Sequence, residues 1–455
     1  MALVLGIDSS TQSTKALLVD ADSGDIVDER RAPHPEGSEV NPKVWLEAVD
    51  AAAGPLLERA DAVAVGGQQH GMVALDQDDQ PVRDALLWND TRSASAAEQL
   101  IEELGGPEAA VKATGSVHGV SITSTKLRWM RNYEHDNAQR THRVVLPHDY
   151  VSHHLAPSSE WFTDRGDASG TGYFDPQVNN WSTDLKIQAL GHDFDTPVIA
   201  PRPNAVMGQT PSGAIMAPGT GDNMAAALGL GLTGSDVSVS IGTSGVAAMT
   251  TSTVPQDISG SINGFADATG QWLPLACTLN GSRILDFGCS ILGVDHEGLS
   301  ELALASEPGA RGAVFIPYLD GERTPNRPYD TGRLLNLTRS VRREDIARAF
   351  VEGLLCSLAD AVSFLENVSG DTAGRLLFIG GGVKSRAVRE LAPTVFGKEI
   401  EVPEPAEYVA LGAARQAAWV LSGADEPPQW DSRGSRTFEG THAPEVLEAY
   451  RAARG

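Results

Sequence analysis

Cysteine is nearly absent: three in 455 residues, Cys277, Cys289 and Cys356, widely spaced and with no C-x-x-C. That count excludes a disulfide framework and a zinc knuckle, and it points to a reducing cytoplasm. Lysine is scarce as well, 7 of the 35 basic residues, and those 35 face 60 acids for a formal charge of -25. Such a surface does not hold nucleic acid or an anionic membrane non-specifically, although a local pocket for one anion remains open to it. No apolar run approaches ~20 residues, and Met1 leads directly into a strand-like run, so neither a membrane span nor a secretion signal is expected. There is no G-x-x-x-x-G-K-[ST] and no G-x-G-x-x-G after the first apolar run. P-loop and Rossmann nucleotide sites therefore find no support.

What is present alternates between strand and helix patterns along a chain too long for one hydrophobic core, so two domains are expected. The opening "LVLGIDSSTQSTKALLVD" sets a polar turn between two apolar runs. An ordinary hairpin fits the pattern, yet the turn holds more hydroxyls than a tight connection needs, and Asp8 closes the first strand. Hydroxyls, backbone N–H groups and Lys15 beside an acid suit a phosphate and its metal ion. The arrangement recurs half a chain later in "SDVSVSIGTSGVAAMTT", Ser235 to Thr251, which suggests an internal duplication with a ligand between the halves. "RLLFIGGGVKSRAVRELAP" adds a strand, three glycines and a helix start, a third place for backbone to approach a nucleotide. A helix is expected after Asn41-Pro42. Another is expected in "TRSASAAEQLIEELGG", with a hydroxyl cap and a Gly-Gly stop. A long buried helix is expected through Ile346, Phe350, Leu354, Leu358 and Val362, an i, i+4 series stopped by Gly370. Asp222 in "GTGDN" reads on the residues alone chiefly as a helix N-cap over "NMAAALG".

Taken together, "GIDSSTQSTK", "GGQQHGM", "LLWNDTR", "VLPHDY", "TDRGDASGT", "GTGDNMAAALG", "SIGTSGV", "FIPYLDGERTP" and "FIGGG" occur in the order found in the FGGY family of carbohydrate kinases. The chain resembles that family from about Leu3 to Trp419, and its xylulokinases most of all. The resemblance implies an α/β fold of two ribonuclease-H-like (actin-like ATPase) domains with a central cleft. Residues 1–232 would bind sugar and carry the first phosphate hairpin and the base. Residues 233–422 would bind ATP, and 423–455 would form a linker, "GADEPPQWDSRGS", and a terminal helix. It implies Asp222 as general base, with Gln69, His70, Asn223 and Trp88 binding the sugar. Asp8 would face Mg2+ mainly through water, and Thr11, Gln12, Ser13 and Lys15 would lie near the transferred group. Gly242, Thr243 and Ser244 would form the second phosphate turn, Gly281 would approach the nucleotide, and Gly380, Gly381 and Gly382 would leave room for adenine and ribose. Asn89, Asp90 and Arg92 would support Trp88, Asp149 and Asp167 would line the cleft, and "GERTP", with no direct chemical role assigned, would only brace the cleft. Xylulokinases carry Met where Gln69 stands, so D-ribulose, L-xylulose or a pentitol competes with D-xylulose as substrate. A non-catalytic actin-like binding protein is a third reading. The partners implied are a small sugar and ATP, and homodimers are common in the family.

Overall fold

The computed structural model describes residues 1–430 and 434–455, so the expected linker 423–435 falls partly outside the described residues. Two mixed sheets organise the chain. In the first, strands run in the spatial order Gly208–Gln209, Ile215–Met216, Ala62–Gly67, Leu3–Ser9, Ser13–Asp20, Ile26–Pro33, and Thr220–Gly221 also pairs with Ala62–Gly67. In the second the order is Ile262–Ala266, Trp272–Thr278, Gly245–Met249, Val237–Ile241, Leu376–Ile379, Ile400–Pro403, Ser435–Phe438. Each sheet is built on an antiparallel hairpin whose first strand runs parallel to a later strand. Asp8 pairs with Lys15 on one side and Gly66 on the other, and Ser240 pairs with Val246 and Ile379. The duplication read from the two polar turns is thus present in strand order and direction. The turn of each hairpin also lies at the carboxyl end of a parallel strand, where α/β sheets present ligand groups.

The local signals produced the expected elements. Arg343–Ser369 is one long helix, buried along most of its length and ended by Gly370 in the left-handed region, where glycine bears no Cβ penalty. Ala94–Leu104 ends the same way at Gly105, but its expected hydroxyl cap is not formed. Ser93 Oγ is drawn instead to Val120 O at 3.1 Å and Thr125 Oγ1 at 3.0 Å.

Apolar layers hold the sheets. The first sheet packs one face on Lys43–Ala52 and Pro147–Leu155 through Leu5, Ile7, Val63, Val65, Trp45 and Val151. Its other face, with Val4, Leu17, Val19, Ala62 and Ala64, packs on Tyr408–Ser422. That helix, at the end of residues 233–422, lies against the first sheet. The second sheet packs on Arg343–Ser369. The last segment is more than a linker and helix: Ser435–Phe438 pairs with Ile400–Pro403, and the helix Pro444–Arg454 places Val446 and Tyr450 in the second core. No helix among the described residues is long and apolar enough to cross a membrane.

Candidate active site

Three parallel strands end side by side. Asp8 and Ser9 lie across from Gly66 and Gly67, and Thr220 and Gly221 flank the same two glycines from the other side. Their carboxyl ends therefore deliver Asp8, Gln68 and Asp222 to one place. Close packing beneath fixes the register: a Cβ at Gly67 would stand 2.8 Å from His148 Cβ.

At the hairpin, Asp8 accepts from Ser10 Oγ and, at 3.3 Å, from Lys15 Nζ. Lys15 is shared with Glu407 at 2.6 Å, a residue at the start of the returning helix that the sequence reading missed. Burial pushes the Asp8 carboxyl above its usual range, although Ser10 and Lys15 pull the other way. Beside it Ser9 Oγ is buried with no partner. Thr11 Oγ1 accepts from Trp88 Nε1 at 2.9 Å and lies 3.4 Å from Gln68 Oε1. Trp88 is 44 % exposed and so is a rim residue rather than core packing. Asp90 and Arg92 do support its loop, with Asp90 accepting from Ser38 Oγ at 2.8 Å and Arg92 pairing with Asp90 and Glu39. Gln12 is exposed and its backbone oxygen holds His34 N. Ser13 is buried with its Oγ accepting from Arg31 Nε at 3.2 Å, which commits the hydroxyl elsewhere.

Asp222 begins the helix Asp222–Leu230, and Gly221 takes the cap position that the sequence left open to Asp222. Its Oδ1 accepts from Asn223 N at 2.9 Å and Asn223 Nδ2 at 3.1 Å. Asn223 Nδ2 also donates to Gln69 Oε1 at 2.8 Å. Burial, then the charges of Asp8 and Asp167, push the Asp222 carboxyl up to about 7. A carboxyl poised there can exchange a proton at neutral pH. His70 stands next to Gln69 with φ 66, a left-handed conformation uncommon outside glycine. Its Nδ1 meets Gly170 O at 2.8 Å and its carbonyl accepts from Thr123 Oγ1 at 3.2 Å. Since a carbonyl only accepts, Nδ1 carries the proton and Nε2 is the free acceptor. Burial, with Lys126 and Arg323 nearby, lowers the His70 pKa to about 3, so the ring is neutral. Asp149 and Asp167, expected along the cleft, are buried under it on either side of His148.

On the second sheet the turn Gly242, Thr243, Ser244 is pinned by its neighbour: Gly281 N donates to Thr243 O at 2.9 Å and Ser282 N to Gly242 O at 2.7 Å. A Cβ on Gly281 would sit 2.5 Å from Gly242 O, so that glycine serves close packing of two turns. Gly380 and Gly382 are required in the same way by Ile241, whereas Gly381 has open space in front of its missing Cβ. Of the three glycines, Gly381 is the one whose smallness is free for a ligand. Glu322 of "GERTP" is buried and accepts from Leu279 N at 2.5 Å and Asn280 Nδ2 at 3.0 Å. It braces the segment that carries Gly281. The halves meet where Phe265 packs 5.3 Å from the His70 ring and Ala266 N donates to Ser169 Oγ at 2.9 Å.

Among the described residues no group of three His, Cys, Asp or Glu could hold a metal alone. The donor set at Asp8 instead suits Mg2+, which keeps much of its water and joins one or two carboxylates to substrate phosphates.

Residues 3–229 match the N-terminal domain of the FGGY family of carbohydrate kinases, and residues 237–421 match its C-terminal domain. A xylulose kinase of Streptomyces coelicolor is 42% identical over 93% of this chain and 89% of its own length. One of Streptomyces rubiginosus is 41% identical over 96% and 92%. The crystal structure of xylulose kinase from Bifidobacterium adolescentis superposes with a TM-score of 0.96 at 43% identity, covering 100% of this chain and 99% of the other.

Proposed function

The chain belongs to the FGGY family of carbohydrate kinases, and is thus an ATP-dependent sugar kinase; from that premise we propose that it phosphorylates D-xylulose to D-xylulose 5-phosphate in pentose catabolism, with Asp222 as general base. The observation that carries the reading is the meeting of Asp222, Asn223, Gln69 and His70 at the strand ends beside Asp8. The three relatives described above supply the sugar.

In this reading His70 Nε2 accepts a sugar hydroxyl, and Asn223 and the indole of Trp88 orient the rest of the ketose. Asp222 takes the proton of the attacking hydroxyl as its oxygen bonds to the terminal phosphorus of ATP, the bond to the ADP oxygen breaks, and ADP leaves with those electrons. Lys15, the hydroxyl of Thr11 and the backbone of Gln12 and Ser13 face the transferred group from the first half. Gly242, Thr243, Gly281, Gly381 and Gly382 receive the nucleotide on the second half. Asp8 would hold Mg2+, which would supply charge neutralisation at the phosphate oxygens.

A sugar panel with ATP and Mg2+, read by ADP release, tests the substrate. D-xylulose is expected to give the highest kcat/KM, and a larger value for D-ribulose, L-xylulose or a pentitol would reassign the sugar. The base is tested by Asp222→Asn, expected to lower turnover by about 10² to 10⁴ with ATP binding nearly intact. Because the acid form cannot accept a proton, kcat/KM of the parent should rise with pH up to about 7 and then level. Turnover within a few-fold of the parent would remove Asp222 from this role.

A further inference from the structure

The motifs "VLPHDY" and "TDRGDASGT" converge under the pocket floor, where the reaction above gives them no part. Resting on the sugar-kinase reading, we propose that the buried His148–Asp167 ion pair fixes the orientation of the Gln69 carboxamide and, through Asn223, holds Asp222 in its working position. His148 and Asp167 are then positioning residues.

His148 Nδ1 stands 2.7 Å from Asp167 Oδ2, with both side chains closed to solvent. On the other side His148 Nε2 lies 3.1 Å from Asp149 Oδ1, too bent for a hydrogen bond. Asp149 is oriented by Leu146 N at 2.8 Å. Asp164 stands behind, accepting from Thr220 Oγ1 at 2.7 Å and Asp167 N at 2.9 Å. Gly219 packs on the imidazole, where a Cβ would stand 2.9 Å from His148 Cδ2, and Gly67 packs on the His148 Cβ. Three carboxylates around one ring outweigh its burial and raise the His148 pKa to about 9. A cationic ring in turn favours an ionised Asp167 against the burial that raises it.

The carboxamide of Gln69 has one accepting end and one donating end. Its Oε1 is taken by Asn223 Nδ2 at 2.8 Å, which turns Nε2 the other way. Gln69 Nε2 and Asp167 Oδ1 are both buried without a formed hydrogen bond, and Gln69 draws the Asp167 pKa down. Gln69 Nε2 is thus an unfilled donor and Asp167 Oδ1 an unfilled acceptor, and the pull of Gln69 on the Asp167 carboxyl makes the two groups neighbours. An ionised Asp167 can only accept, so it selects the amide orientation that leaves Oε1 for Asn223. A neutral acid would offer its own O–H to the amide oxygen and remove that selection. The choice matters because Asn223 Nδ2 also touches Asp222 Oδ1 at 3.1 Å. Methionine at position 69 has no ends to orient, so the two changes should not be independent.

The test is a double-mutant cycle on KM and kcat/KM for D-xylulose with the parent, Gln69→Met, Asp167→Asn and the double variant. Asp167→Asn is expected to lower kcat/KM by about tenfold or more beside Gln69 and by less than about threefold beside Met. Equal losses in both backgrounds would overturn the proposal, because a pair that only supports the fold is needed equally in each. If Asp167→Asn does not fold, as judged by circular dichroism and melting, His148→Gln with and without Gln69→Met carries the same comparison and the same two outcomes. If the sugar panel assigns another substrate, the cycle is run on that sugar. If no sugar is turned over, it is run on D-xylulose binding by calorimetry, so the coupling is judged apart from the reaction.

Discussion

In the role proposed for it, Asp222 serves two demands that oppose each other. A base must be able to lose its proton near neutral pH, while burial and the charges of Asp8 and Asp167 disfavour the anion and hold the carboxyl at about 7 against an ordinary 3.8. The folded protein thus keeps a proton that the unfolded chain releases, and its stability falls as pH rises between those two values. Deleting the charge should exchange activity for stability. Asp222→Asn is expected to melt at a higher temperature than the parent at pH 8, with the gap closing toward pH 4. Calorimetry across that range checks it, and equal melting temperatures at pH 8 would mean that the folded state holds the anion without penalty. His70 carries a smaller burden of the same kind, a left-handed backbone kept in place by Gly170 O and Thr123 Oγ1, as strained residues at functional sites often are.

The helix that begins with Asp222 takes its position from glycine. A Cβ at Gly412 would collide with Ala225 O, and one at Gly229 with Tyr408 O, so Asp222–Leu230 and Tyr408–Ser422 touch backbone to backbone. Gly412→Ala should then cost ~1–3 kcal/mol by overpacking and lower kcat as the base shifts. Gly381→Ala, which meets nothing within 4 Å, should leave urea unfolding unchanged and raise KM for ATP. Loss of stability in the second variant, or none in the first, would contradict this account. The hairpins, the long helix and their glycine stops were legible because each is written in a few adjacent residues. The place of Tyr408–Ser422 was not, since "YVALGAARQAAWVLS" is apolar nearly all round and such a helix does not say which sheet it covers. Pairings across the fold, His148 with Asp167 or Lys15 with Glu407, left only the residue types in sequence. Motif order did bring Asp222, Asn223, Gln69 and His70 together, whereas the reasons for Gly281, Gly382 and Glu322 needed the neighbours those residues touch.

At the scale of the whole molecule, the proposed sugar groups lie on the first half and the proposed nucleotide turns on the second; in that reading the reaction would require the cleft to narrow, which would also exclude water that competes for the phosphoryl group. Scattering with D-xylulose and a non-hydrolysable ATP analogue is expected to give a smaller radius of gyration than the free protein. Asp8→Ala should close less well, having lost its hold on the terminal phosphate and its ion. Equal radii, together with ATP turnover independent of sugar, would contradict closure. The crossing of Tyr408–Ser422 onto the first sheet bears also on how the protein is made. As synthesis proceeds, residues 1–232 leave the ribosome with Val4, Leu17, Val19, Ala62 and Ala64 on a face whose cover has not been translated. At about 5–20 residues per second that cover emerges roughly 10–40 s later. The nascent first half therefore keeps that apolar face open until Tyr408–Ser422 has been made.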